Sequence, residues 1–319
     1  MSASAGARAF LAGLIDYAGL FPPAALPLGP ALAEYARHRA GPDAWMLGRF
    51  IAPASRLEAL AAALAADPAL GGREPWHLTV LVGGGADLAA ALAALPAQAD
   101  GVAACEQGGP RGLSVEGLEA PLPPGAGAAT KLAEALAEEG LGGRDLYLEV
   151  PAGVAVDQAL ADIRACAARL SGPQGAFPVL GVKLRCGGLA PEAFPAPERV
   201  AAVLAGCARG ALPLKFTAGL HHPVRHQSGS PPVTMHGFLN VIGAALLAGA
   251  GVADEDRLVA CLRETEAAAF RLDEDGFAWR DLRLAPAAVA RARAAGVAGF
   301  GSCSFDEPRQ DLAALGLLP

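Results

Sequence analysis

Lysine is scarce in this sequence, which has 25 basic residues but only three lysines, at positions 131, 183 and 215. The other 22 basic residues are arginine, so arginine is used wherever a generic positive charge is sufficient. Lys183 and Lys215 stand inside apolar runs, GVKLRCGG and PLKFTAGL. Because arginine cannot supply a neutral amine, a lysine kept in a buried strand indicates a need for amine chemistry.

Several other features are missing, and each absence narrows the function. The net charge of −7 and the lack of a basic run argue against a nucleic-acid surface. The apolar run GFLNVIGAALLAGAGVA is short for a membrane span, and Asp16 interrupts the apolar N-terminal stretch, which together predict a cytoplasmic protein with no membrane partner. The six cysteines show no CxxC spacing and are predicted to be buried free thiols.

Short apolar runs alternate with alanine-rich helical segments along the chain. The predicted strands are 13–18, 45–51, 76–82, 101–106, 147–150, 179–186, 213–218 and 298–305, and the predicted helices lie near 30–40, 54–66, 86–97, 127–140, 154–170, 196–209, 238–249 and 285–295. This alternation predicts a parallel sheet covered by helices. Eight such strands predict an α/β fold with a single (β/α)8 TIM barrel over residues 1–319. An open doubly wound sheet is the alternative, although no GxGxxG motif opens the first helix.

Three segments interrupt the regular alternation. A long loop runs from His221 to His236 after strand seven, and its SGSPP stretch suits a mobile flap. Residues 270–280, with Asp-Gly between apolar flanks, predict a β-hairpin inserted before strand eight. The Pro/Gly-rich segment 119–130 is predicted to be a loop that leads into the fourth helix.

A barrel of this kind places its chemistry at the C-terminal ends of its strands. Lys183 and Arg185 are two residues apart on strand six and therefore share a face, as do Lys215 and Thr217 on strand seven. Polar residues predicted at or beyond the other strand ends are Asp16, Arg49, Glu106, Glu149, Ser302, His221, His222, Arg225, His226, His236 and Asn240. Of all these, the residues predicted to bind substrate are Asp16, Arg49, Arg185, Thr217, Arg225, Asn240 and Ser302, and the three arginines indicate a carboxylate or phosphate on the ligand.

The two lysines carry the first functional hypothesis. On neighbouring strand ends each ammonium would disfavour the charge of the other, and partial burial would lower both pKa values further. A neutral amine can attack a carbonyl carbon and form a Schiff base, with Glu106 or Glu149 and a histidine, His222 or His236, moving protons. The alternative is that both lysines pair with Glu106 and Glu149 in a structural ion network of the barrel.

The histidines carry a competing hypothesis, because four of the six lie between residues 221 and 236. No cofactor is predicted, but His221, His222 and His236 with Glu149 could hold a divalent metal such as Zn or Mn. Their spacing matches none of the compact patterns HxH, HxxxH and HExxH. The histidines therefore also fit a loop that binds substrate or transfers protons.

The strand ends resemble those of deoxyribose-phosphate aldolase and related class I aldolase barrels. LIDYAGLFPPA at 14–24 is similar to that family's opening strand, GVKLRCGG to its Schiff-base strand and PLKFTAGL to the strand of its second lysine. The resemblance implies that Lys183 forms the Schiff base, that Lys215 lowers its pKa, and that Glu106 stands in for an aspartate of strand four. Leu184 and Arg185 replace small residues of the family, and the family has no counterpart of the 221–236 histidines.

These observations predict a lyase or aldolase-like enzyme whose partner is a small anionic carbonyl compound. The first alternative is a metal-assisted lyase, isomerase or hydrolase, and the second is a non-catalytic barrel that binds a small acid. A homo-oligomer is compatible with the sequence.

Overall fold

The computed structural model describes residues 3–71, 75–109, 113–229 and 232–319, and these form thirteen strands. The strands are β1 (Ile15–Tyr17), β2 (Leu47–Pro53), β3 (His77–Leu81), β4 (Ser114–Pro121), β5 (Asp145–Glu149), β6 (Leu180–Arg185), β7 (Leu214–Thr217), β8 (His226–Gly229), β9 (Pro232–Met235), β10 (Phe270–Asp273), β11 (Gly276–Trp279), β12 (Leu282–Leu284) and β13 (Val297–Ser302). Eight of them form a closed parallel barrel in the order β1-β13-β7-β6-β5-β4-β3-β2. The predicted TIM-barrel fold is confirmed.

Helices follow the barrel strands, as a parallel sheet requires. The α-helices are α1 (Ala5–Leu11), α2 (Leu28–Arg39), α3 (Leu57–Ala66), α4 (Pro68–Gly71), α5 (Leu88–Gly108), α6 (Ala128–Glu138), α7 (Val156–Leu170), α8 (Pro197–Gly210), α9 (Phe238–Gly249), α10 (Glu255–Arg263), α11 (Pro286–Gly296) and α12 (Asp306–Ala314). Short 3-10 helices cover Ala44–Met46, Ala54–Arg56, Pro191–Ala193 and Ala267–Ala269.

The chain divides into two compact units. In the unit of residues 17–44 and 49–183, neighbouring strands from β2 to β6 pair in parallel. An aromatic cluster of Tyr17, Tyr35, Phe50 and Trp76 packs beside β2 in its core. Its longest helix, α5, is apolar enough in composition to cross a membrane, but here it packs on α3 and α6 and turns Leu95, Val102 and Cys105 inward.

In the unit of residues 1–16, 45–48 and 184–319, β7 pairs in parallel with β13. Two additions extend this unit. The predicted loop at 221–236 contains the antiparallel pair of β8 and β9, although Ser230 and Pro231 lie outside the described residues. The predicted hairpin at 270–280 is confirmed as β10 and β11, and β12 adds a third strand to it.

The fourth strand differs from the sequence prediction. Residues 101–106, predicted as that strand, belong to α5, because Leu95, Val102 and Cys105 recur at the spacing of one helix face. The strand is instead β4, at Ser114–Pro121, and it includes residues 119–121 of the predicted loop. The acidic residue that the sequence prediction placed at the end of strand four therefore lies on a helix instead.

Candidate functional site

A buried lysine and two carboxylates form a cluster in the unit that contains β2 to β6. The Lys183 Nζ lies 2.7 Å from Oε2 of Glu119 and 2.9 Å from Oε2 of Glu149. Strand pairing sets this geometry, because Glu149 is the register partner of Lys183 and of Pro121, two residues beyond Glu119. The side chains of Lys183 and Glu119 are 4% and 1% exposed, whereas that of Glu149 is 17% exposed.

The charge state of Lys183 differs from the expectation. Burial lowers the pKa of its amine, but the negative charges of Glu119 and Glu149 raise it, and the net pKa lies above the usual 10.5. The predicted lowering of this pKa is therefore wrong. At neutral pH the free protein holds an ammonium ion, and nucleophilic attack by Lys183 requires that a proton leave Nζ.

Glu119 is the member of this cluster that the sequence does not single out. Glu106, predicted in its place, lies on α5, where it accepts a hydrogen bond from the Val115 N–H and pairs with Arg144 at 2.9 Å. Val115 is the second residue of β4, so Glu106 lies at the opposite end of that strand from Glu119. The alternation of residues 117, 119 and 121 on one face could have identified Glu119, had β4 been placed correctly.

A second buried ion pair lies in the other unit, where Lys215 Nζ is 2.5 Å from Oδ2 of Asp16. A Cβ added to Gly48 would collide with the other oxygen of that carboxylate, so Gly48 leaves the space that Asp16 fills. On β13 the register partners of Lys215 and Thr217 are Gly299 and Gly301. Asp16, predicted to bind substrate, is thus the counter-ion of Lys215.

The histidines of the 221–236 segment do not converge on one point. His221 Nδ1 lies 3.3 Å from Glu307, and His222 Nδ1 lies 2.6 Å from Asp311, so two neighbouring histidines reach two acidic residues of α12. The His226 ring packs edge-on against the His222 ring at 4.5 Å. His222, predicted to transfer protons, instead pairs with Asp311 of α12.

His236 occupies a structural position. Its ring is buried, its Nε2 donates a hydrogen bond to the Pro195 carbonyl at 2.7 Å, and its Nδ1 accepts one from Arg225 at 3.2 Å. Burial lowers the pKa of His236 to about 4, although the Pro195 carbonyl raises it. With both nitrogens engaged and the ring neutral, His236 suits neither the predicted proton transfer nor metal binding.

The predicted metal set of His221, His222, His236 and Glu149 is not assembled in this structure. Across residues 3–71, 75–109, 113–229 and 232–319, no group of three or more His, Cys, Asp or Glu side chains has an arrangement that could hold a metal ion.

The predicted substrate-binding residues fall into two groups. Arg49 lies near the start of β2 and pairs with Glu116 at 3.1 Å and Asp145 at 3.0 Å, so it belongs to the amino end of the barrel. Arg185, Thr217 and Ser302 are the last residues of β6, β7 and β13, at the end where barrel chemistry occurs. Arg185 is exposed, Thr217 is half-buried and Ser302 is buried.

Asn240 links several backbone segments instead of facing a ligand. Its Oδ1 accepts a hydrogen bond from the Arg225 N–H at 2.9 Å, and its Nδ2 donates to the carbonyls of Cys261 and Glu264 at 2.8 and 2.9 Å. These contacts fix the backbone just before β8 and the C-terminal end of α10. Arg225, also predicted to bind substrate, donates a hydrogen bond to His236.

We expect Asn240→Ala to lower the free energy of unfolding by at least about 2 kcal/mol, because it removes three hydrogen bonds from the Asn240 side chain to the backbone. Urea denaturation followed by circular dichroism measures this loss. Any ligand affinity that resides in the Lys183 cluster should survive in the folded variant, and an unchanged stability would contradict the structural role of Asn240.

A cavity of about 490 Å³ lies in the unit of Lys183, along the loops that follow β4 and β5 and the first turns of α7. Gln158 and Asp162 are its polar side chains, and the Asp162 carboxylate accepts hydrogen bonds from the Gly127 and Ala129 N–H groups at the start of α6. None of the residues that line it is basic, so it does not fit the predicted anion.

No protein-family model matches the sequence, and no curated protein matches it significantly. Function is therefore inferred from the geometry of the site.

Proposed function

We propose that this protein is an enzyme of the lyase type that acts through Lys183 on a small carbonyl compound bearing a carboxylate or phosphate. The observation that carries the proposal is the cluster in which two carboxylate oxygens lie 2.7 and 2.9 Å from a buried amine. Barrels of this fold commonly house enzymes, and their active sites lie at the strand ends. Lys183, Glu119 and Glu149 all stand in the last three residues of their strands.

The two carboxylates supply the proton transfers that imine chemistry requires. Nζ must lose a proton before it attacks the carbonyl carbon, and the carbinolamine oxygen must gain protons to leave as water. A carboxylate within 3 Å of Nζ is in direct reach of the first proton. Glu149 is the more exposed of the two carboxylates, so we propose that it exchanges protons with the substrate. Glu119 then holds the Lys183 side chain in place.

Arg185 supports the anionic character of the substrate. It is two residues beyond Lys183 on the same face of β6 and exposed at the strand end. A guanidinium in that position can hold a carboxylate or phosphate by paired hydrogen bonds.

The test is reductive trapping. The protein is incubated with cyanoborohydride and, one at a time, with pyruvate, glyoxylate and glycolaldehyde phosphate, and the modified peptide is identified by mass spectrometry. We expect an adduct on the peptide that contains Lys183. Exclusive modification of Lys131, Lys215 or the N-terminal amine, or no adduct at all, would leave the cluster as a buried ion network and overturn the proposal.

The rate of trapping should depend steeply on pH. Because the carboxylates hold the pKa of Lys183 above 10.5, the neutral amine is a minor species at pH 7 and increases about tenfold for each pH unit below that pKa. We expect the trapping rate to rise in the same way between about pH 7 and 9.

Glu119→Gln is the informative variant for this pH dependence. It removes one of the charges that raise the pKa of Lys183, so trapping at pH 7 should become faster and the pH profile flatter. Glu134→Gln is the matched control, because Glu134 forms an exposed ion pair with Arg169 on the outer helices. A wild-type rate that does not change with pH would contradict the raised pKa.

A further inference from the structure

A thiol, an imidazole and a carboxylate meet at the end of the eighth barrel strand, in the unit of residues 184–319. Cys303 directly follows β13, and its Sγ lies 3.9 Å from Nδ1 of His221, in the loop after β7. Oε2 of Glu307, in the first turn of α12, lies 3.3 Å from the same nitrogen. The thiol and the carboxylate therefore both approach Nδ1 of one histidine.

Cys303 differs from the other five cysteines in exposure. Cys303 is 7% exposed, whereas the other five are only 0 to 1% exposed: Cys105, Cys166, Cys186, Cys207 and Cys261. Burial raises the pKa of Cys105 and Cys166 to about 11 and that of Cys186 to about 12, so those thiols stay protonated and unreactive. Cys303 has both the larger opening to solvent and a base within reach.

His221 is suited to accept the thiol proton. Burial lowers its pKa, although Glu307 raises it, so the imidazole is neutral near pH 7. With the ring proton on Nε2, Nδ1 offers its lone pair to the thiol, and the Glu307 carboxylate beside Nδ1 favours protonation there. Once protonated it would lie between a thiolate and the Glu307 carboxylate, and both negative charges stabilise the imidazolium. His222 and His226 are the other titratable groups that act on His221, and His222 has its own carboxylate in Asp311.

We propose that Cys303 is an activated thiol that reacts with soft carbon electrophiles, with His221 as its base and Glu307 as the stabiliser of the imidazolium. The Sγ proton passes to Nδ1 of His221, and the thiolate forms an S–C bond at the β-carbon of an activated alkene. The alkene electron pair moves to the α-carbon, which takes the proton back from the imidazolium. Atoms and electrons balance without an oxidant or a leaving group, and the site is independent of the amine of Lys183.

The test uses N-ethylmaleimide on the native protein at pH 7, with intact mass and peptide mapping at several times. We expect one maleimide per chain, on Cys303, and no fast labelling in Cys303→Ser. His221→Gln should slow the labelling of Cys303 by about tenfold or more, because the thiol loses its base. His77→Gln is the matched control, since it removes a partly exposed histidine that pairs with Glu116 in the other unit, and it should change the rate less than about twofold.

Glu307→Gln provides a second route if His221→Gln does not fold. Loss of the carboxylate should slow labelling by about threefold or more, with the native circular dichroism spectrum retained. Equal labelling rates in wild type and in the folded variants of His221 and Glu307, labelling distributed over several cysteines, or an unlabelled native protein would each overturn the proposal.

Discussion

Lys183→Arg is expected to abolish reductive trapping and to reduce turnover of any carbonyl substrate by at least about a thousandfold. Arginine keeps the positive charge between Glu119 and Glu149, so the ion cluster and the fold should persist. A guanidinium stays protonated and forms no imine under these conditions. Trapping yield by mass spectrometry and the melting temperature of the same sample separate loss of chemistry from loss of structure.

The scarcity of lysine makes this experiment exhaustive, because each of the three lysines can be replaced in turn. Lys131→Arg is the matched control, since Lys131 is exposed on α6, and it should trap like the wild type. Lys215→Arg tests the second buried amine and its pair with Asp16. If Lys183→Arg retained full turnover, a Schiff base on Lys183 would be excluded whatever the other two variants did.

The double variant Glu119→Gln/Glu149→Gln should be the most destabilising change in the site, with a loss of about 3–5 kcal/mol at pH 7. Both glutamines keep the size of the side chains but remove the charges, which leaves the ammonium of Lys183 buried without an anion. Chemical denaturation gives the free energy of unfolding. Glu134→Gln, which breaks an exposed pair, should lose no more than about 1 kcal/mol.

The pH dependence of this loss identifies its cause. In the wild type the pKa of Lys183 is raised, so the contribution of the pair is complete below the unfolded pKa and is lost only as pH rises past the folded one, above 10.5. In the double variant only burial acts, and the pKa of Lys183 falls below its usual value. The variant should therefore regain stability between about pH 7 and 10, and the difference from the wild type should narrow. A constant difference would point to packing rather than charge.

Most of the barrel could be predicted because its strands are short apolar runs bounded by polar segments. The fourth strand shows where apolar runs alone fail to distinguish a strand from a helix. Residues 101–106 are as apolar as a buried strand, and only the spacing of Val102 and Cys105 relative to Leu95 identifies them as a helix face. β4 was missed for the opposite reason, since it carries Glu116 and Glu119. Both are tolerated in a strand because Arg49 and Lys183 pair with them.

The site was predictable only in part. Lys183 could be singled out because lysine is rare, and Glu149 because it ends a recognisable strand. The direction of the shift in the pKa of Lys183 could not be predicted, because it depends on two carboxylates lying within 3 Å of Nζ. The roles of His236 and Asn240 were likewise hidden, since their partners are backbone carbonyls of segments distant in sequence.

The contact between Gly48 and Asp16 links two positions that are 32 residues apart in the chain. Any side chain at residue 48 would push the Asp16 carboxylate from its place and separate it from Lys215. A glycine with no polar atom of its own is thus part of the electrostatic pair. In a lineage of related chains, residues 16, 48 and 215 should therefore be inherited together, and a larger residue at 48 should mark chains that have already lost the aspartate or the lysine.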